Sequence, residues 1–151
     1  MQLTKHFHLN EFARSSAAAR LGIDNTIPEA LIPNIRNLCE QILEPLRAHI
    51  RSPVVISSGY RCKALNKAVG GVWNSQHMTG EAADIVSSSP SPTLPREGVG
   101  KLLLLTWAEW IKANCQFDQL ILEKSGNTVW LHVSCCRDAT KNRKQVLIVT
   151  K

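Results

Sequence analysis

The chain has 151 residues, 44% of them hydrophobic and 20% charged, which suits one domain with its own core and excludes disorder by composition. Its eight aromatic residues (Trp 4, Tyr 1, Phe 3) are too few for a base-stacking nucleic-acid module, and no apolar run nears the roughly 20 residues of a membrane span. The net charge of +6 gathers at the end, where residues 137–151 hold Arg137, Lys141, Arg143, Lys144 and Lys151 against Asp138 alone. Such a run suits a polyanion, either nucleic acid or an anionic envelope polymer, or is simply a solvated basic tail.

Residues 10–21 read as a short helix, with Asn10 as candidate N-cap and Gly22 as its stop. Thr26-Ile27-Pro28-Glu29 has the form of a capping box with proline in the first turn. Behind it Leu31, Ile35, Leu38, Ile42 and Leu46 recur every three or four residues, the pattern of an amphipathic helix. Pro33 predicts a fresh helix start, and Pro45 an end or kink. Val54-Val55-Ile56 is a strand, Gly59 opens a turn, and residues 62–68 make one or two helical turns stopped by Gly70-Gly71. A second strand covers 82–86. The Ser, Pro and Gly of 88–100 show no periodicity and read as a surface excursion. A helix follows over 101–114, then strands over 119–123 and 128–134 around a Ser125-Gly126-Asn127 turn, and a closing strand over 145–149. The sum is an α+β fold, with N-terminal helices packed on a small antiparallel sheet in a single domain.

The five cysteines, Cys39, Cys62, Cys115, Cys135 and Cys136, are odd in number and form no C-x-x-C pair. They fit free thiols of a reducing cytosol. Cys135-Cys136 lies on a strand-like stretch, so one sulfur faces the core and the other faces outward. The start, Met1-Gln2-Leu3-Thr4-Lys5-His6, lacks the basic-then-apolar pattern of a secretory signal. His6 and His8 receive no role. Trp107 and Trp110, three apart on a helix, read as packing.

The chemistry concentrates in Ser57-Ser58-Gly59-Tyr60-Arg61, in Ser75-Gln76-His77-Met78-Thr79-Gly80-Glu81-Ala82-Ala83-Asp84, and in Trp130-Leu131-His132-Val133-Ser134. Zinc accepts imidazole nitrogen and carboxylate oxygen, and a catalytic zinc takes three such protein ligands. His77 in a loop and Asp84 on the next strand can converge because Gly80 lets the chain turn, with His132 arriving from a neighbouring antiparallel strand. On spacing alone the alternative stands that His132 is a satisfied partial-core residue. Trp130 is a wall of the cleft or a core residue.

Ser-Gly-Tyr-Arg, then Ser-x-His-x-x-Gly-x-Ala-x-Asp, then Trp-x-His-Val resembles the zinc D-Ala-D-Ala carboxypeptidase family, which includes phage peptidoglycan endopeptidases and shares its fold with hedgehog signalling domains. The resemblance runs from Phe7 to Ser134. It implies zinc on His77, Asp84 and His132, Arg61 stabilising substrate or transition-state charge, and Ser75 contacting substrate. Many members carry Glu-x-x-His as general base, and here that position is Val129. Hedgehog-like members place a Glu at the end of the preceding strand, which is Glu123 here. Pairing Glu123 with Thr128 would put it on the face of Trp130 and His132, but about 13 Å along the strand from His132. Glu81, between two ligands, is the other candidate base, with a solvated loop carboxylate as its plainer reading.

The resemblance therefore implies a zinc metallopeptidase of residues 1–136 acting on peptidoglycan stem peptides, as carboxypeptidase or endopeptidase. Residues 88–100 would be a flexible insertion and 137–151 a basic tail or closing strand. The alternative is a non-catalytic zinc-binding module of the same fold that recognises a peptide or wall fragment. The expectation is a monomer with no membrane span and no specific nucleic-acid partner, made in the cytoplasm and acting at the cell wall or periplasm.

Overall fold

A computed structural model describes residues 1–88 and 96–150 of the chain. Helices α1 (Leu9–Ala13), α2 (Ser16–Leu21), α3 (Ile32–Leu38) and α4 (Glu44–Ile50) precede strand β1 (Val54–Ser58) and helix α5 (Lys63–Ala68). Strand β2 (Ala82–Ser87), helix α6 (Arg96–Asn114) and strands β3 (Gln119–Ser125), β4 (Thr128–Ser134) and β5 (Gln145–Thr150) complete the domain. Among the described residues no helix is long and apolar enough to cross a membrane.

The single helix expected over 10–21 is two. His8, not Asn10, caps α1, with Glu11 closing a capping box. The chain then extends at Arg14, and the Ser15 hydroxyl accepts from the Ala18 N–H to start α2. Serine competes with the helical backbone for hydrogen bonds, and here it wins. The break leaves the Phe12 carbonyl to accept from Tyr60 N–H at 2.7 Å, which ties α1 to the end of β1. The capping box expected at Thr26 does not form, because Thr26 bonds Asp24 through both its N–H and its hydroxyl.

Pro33 lies in the first turn of α3 as expected. Pro45 neither ends nor breaks the path. A π-helical turn, Cys39–Leu43, precedes it and α4 starts immediately after. The wider turn accommodates a residue that lacks an N–H and crowds the carbonyl four residues back.

The sheet has five strands in the order β1-β2-β4-β3-β5. All pairs are antiparallel except β3 with β5, which is parallel. The closing strand thus exists, but it runs with β3, reached by a crossover through a 3₁₀ turn at Ala139–Lys141. Alternation assigns the two faces. Ala83, Ile85, Leu120, Leu122, Leu131 and Val133 are buried against Leu104, Trp107 and Ile111 of α6 and against the α3–α4 helices. The opposite face carries Asp84, His132, Trp130, Ile121 and Glu123. A bulge between Ile56 and Ser58 turns Ser58 from the core face to stand opposite Asp84.

Of the surface excursion expected over 88–100, residues 89–95 lie outside the described residues, and α6 already begins at Arg96. Cys135 is buried and Cys136 half-buried, as the alternation predicted, although both follow the end of β4. Burial pushes the Cys136 thiol up to about 11, so it is no thiolate nucleophile at neutral pH. Trp107 is packed in the core and Trp110 stacks on His49 at 4.4 Å.

The basic C-terminal run is partly engaged. Arg143 forks onto Asp118, Nε to Oδ1 at 3.0 Å and a terminal nitrogen to Oδ2 at 2.7 Å, and its backbone N–H adds a third bond. Burial alone would raise the Asp118 carboxyl, but the Arg143 bonds outweigh it and hold it below its ordinary value of 3.8. A depressed folded-state value stabilises the fold above pH 3.8, and the gain is lost as pH falls through the lower value. Arg143→Ala removes two of these three bonds, leaving the backbone N–H on a buried carboxylate, and is expected to cost about 1–3 kcal/mol. Thermal melting at pH 7 and pH 3 checks this: the gap between wild type and variant shrinks in acid.

Candidate active site

His77 sits on the 3₁₀ turn Gln76–Thr79. Ser75 starts that turn, its hydroxyl accepting from His77 N–H at 3.2 Å. Gly80 ends it at φ 76°, where a Cβ would meet Ile35 Cγ1 at 2.9 Å. The His77 carbonyl accepts from Arg61 N–H at 3.1 Å. Its Nδ1 lies 2.7 Å from the Gly59 carbonyl. A carbonyl only accepts, so Nδ1 carries a proton and donates it to Gly59. The His77 Nε2 faces Asp84 Oδ1 at 3.3 Å.

Asp84 and His132 are direct cross-strand partners of β2 and β4. His132 Nδ1 lies 3.0 Å from the same Asp84 Oδ1. The two imidazoles meet edge to face, 5.1 Å between centroids. One donor atom from each of His77, Asp84 and His132 falls within 4.8 Å of the others, and His77 and Asp84 are buried. Burial would raise the Asp84 carboxyl, yet His77 and then His132 outweigh it and keep it ionised well below the usual carboxylate range. Two imidazole nitrogens around one buried carboxylate form the nitrogen–oxygen donor set that zinc accepts, with the His77 ring already oriented by the Gly59 carbonyl.

Arg61 lies beside this group. Its Nε donates to Ser58 Oγ at 3.3 Å, one terminal nitrogen to Asn66 Oδ1 at 3.0 Å, and the other stands 3.7 Å from Asp84 Oδ2. Asn66 is buried and also donates to the Val72 carbonyl at 2.8 Å. Gly71 closes over the pair, since a Cβ there would meet Asn66 Oδ1 at 2.1 Å. Nothing in the sequence signals Asn66. The glycine of Ser-Gly-Tyr-Arg was the available signal for Gly59, whose Cβ would meet Phe12 Cα at 2.5 Å.

Glu123 stands opposite Trp130, not Thr128. The strand runs two residues further than expected, to Ser125, and Gly126-Asn127 close the hairpin with Gly126 at φ 59°. His132 faces Ile121, so Glu123 is one same-face step from the His132 row, about 7 Å along the strand rather than 13 Å. Glu123 and Trp130 both line the cleft, as do Ser75 and Arg61. Glu81 does not: its carboxylate accepts from the Thr79 hydroxyl at 2.7 Å.

Residues 5–96 match a family model described as Peptidase M15. His77 and Asp84 fall inside that stretch, while Glu123 and His132 come from the β3–β4 hairpin beyond it. No curated protein matches the chain. With more than half its length matched, the chain belongs to the M15 peptidase family, which includes D-Ala-D-Ala carboxypeptidases.

Proposed function

We propose that the protein is a zinc-dependent peptidase hydrolysing peptidoglycan stem peptides, with zinc held by His77, Asp84 and His132. The observation that supports this best is the convergence of those three donors in a cleft that also holds Glu123 and Arg61. When bound, zinc supplies Lewis acidity, acidifying water and polarising a carbonyl oxygen. Glu123 takes the proton of the attacking water and passes it to the leaving amine. The Arg61 guanidinium, held flat by Ser58 and Asn66, offers its remaining N–H groups to the charge that grows on the carbonyl oxygen. Ser75 and Trp130 bound the substrate on either side. The wall peptide as substrate comes from the family.

Mass analysis of purified muropeptides after incubation with the zinc-loaded protein tests the reading. New fragments that disappear with a chelator are the expected result. Zinc bound with every muropeptide intact would leave a zinc-binding module of the same fold.

Arg61→Lys keeps the charge and loses the planar fork. Turnover is expected to fall about 10²-fold or more, while the melting temperature drops by only about 2–4 °C, the equivalent of 1 kcal/mol in a chain of this size. Wild-type turnover, or a collapse of the fold, would remove Arg61 from the mechanism.

A further inference from the structure

The cleft is longer than removal of one terminal residue requires. It has two lobes, of about 400 and 370 Å³, which share Arg61, Asp84 and Glu123. The site face of β3 serves as a ruler. Gln119 and Ile121 line one lobe, Glu123 lines both, and Ser125 lines the other. Six residues of strand span about 20 Å. His132 marks its own level at Ile121. The cleft therefore continues about 7 Å past the metal group toward Gln119 and about 13 Å toward Ser125, room for about two and four extended residues.

A site that trims one terminal residue ends in a stop, usually a cation for the terminal carboxylate. Arg61 is not at an end, because the Ser125 lobe continues beyond it. Three of its nitrogens already face Ser58, Asn66 and Asp84. The Ser125 lobe carries a second cation, Arg14, at the extended joint between α1 and α2. Arg14 is exposed and makes no ion pair or side-chain hydrogen bond among the described residues. Ser16 and Ser58 line the lobe with it and keep a hydroxyl proton to donate, whereas Ser57 donates its own to the Asp84 carbonyl at 3.2 Å.

We propose that Arg14 and the Ser16 and Ser58 hydroxyls form a carboxylate-binding subsite remote from the metal group, so that the enzyme cuts an interior bond of an extended acidic peptide. This rests on the peptidase reading above and adds the position of the bond and the charge of the substrate. The carboxylate is a side-chain or α-carboxylate within the peptide, or the free C-terminus of a chain running on past the cut.

The test uses cross-linked muropeptides and the same material with its carboxylates amidated. Calorimetric binding to the metal-free full-length chain needs no turnover. The acidic form is expected to bind about 10–100-fold more tightly, the range for charge-assisted hydrogen bonds. Arg14→Ala should reduce that preference to within about twofold, and Arg14→Lys should restore most of it. Amidating only the C-terminus distinguishes the two carboxylate sources. In the zinc-loaded wild type, each product should keep at least two residues. Equal binding of both forms, or a preference that survives Arg14→Ala, overturns the subsite. Release of single terminal amino acids overturns interior cleavage. Arg14-dependent binding without any cleavage supports the subsite and sinks the peptidase reading instead.

Discussion

Glu123→Gln should lower turnover by about 10²–10⁴, the usual scale for losing general acid–base help, while zinc binding and melting temperature stay near wild type. The expectation comes from the register of one hairpin. Ser125 pairs with Thr128 and Glu123 with Trp130, which sets the carboxylate on the site face one step from the Ile121–His132 row. From there a flexible side chain can reach a water at the metal group. Glutamine keeps the shape and the hydrogen-bonding oxygen but cannot take the proton. Position 129 offers no substitute, since Val129 packs against the core from the other face. Glu81 is turned toward Thr79 and outside the cleft. Steady-state turnover on muropeptides and zinc content per chain are the two measurements. Unchanged turnover would place the base elsewhere. Turnover and zinc lost together would make Glu123 part of the metal group.

That register was the point where the sequence misled most. Lys124 and Ser125 are polar and have no strand signature, so β3 reads as ending at Glu123 with a four-residue loop behind it. The actual hairpin is decided by Gly126, which adopts positive φ and lets two residues close the turn. Strand parity survived the error, because a two-residue change keeps every side chain on its face. For the same reason the meeting of Asp84 and His132 was readable: each alternates with apolar neighbours that must be buried. What depends on tertiary context was not readable. The break at Ser15 requires knowing that Phe12 bonds Tyr60. The π turn before Pro45 looks like any other stretch of the amphipathic pattern. The parallel placement of β5 depends on Arg143 finding Asp118, two residues that lie 25 apart in the chain. Asn66 acts through two hydrogen bonds that no spacing rule announces.

Gly59→Ala should damage stability and the metal group together. A Cβ at this position would lie 2.5 Å from Phe12 Cα and 2.7 Å from the Phe12 carbonyl oxygen, both backbone atoms of the one buried residue of α1. No side-chain rotation relieves that contact, so β1 and α1 must separate. Tyr60 N–H would then lose reach of the Phe12 carbonyl. Overpacking of this kind costs about 3 kcal/mol, and the melting temperature should fall by about 6–12 °C in a chain of this size. The Gly59 carbonyl is also the acceptor that holds His77 Nδ1–H. Once it shifts, the imidazole is no longer held with Nε2 toward Asp84, and zinc affinity should weaken about 10–100-fold, as for other outer partners of metal-binding histidines. Gly70→Ala supplies the contrast. Gly70 sits at φ 75° with open space around its missing Cβ, so it should show only the backbone cost of about 1 kcal/mol with zinc affinity unchanged. Thermal melting and a zinc competition titration on both variants read the two effects separately. A Gly59→Ala protein with wild-type melting and wild-type zinc affinity would show that the close approach of β1 to α1 does not position His77.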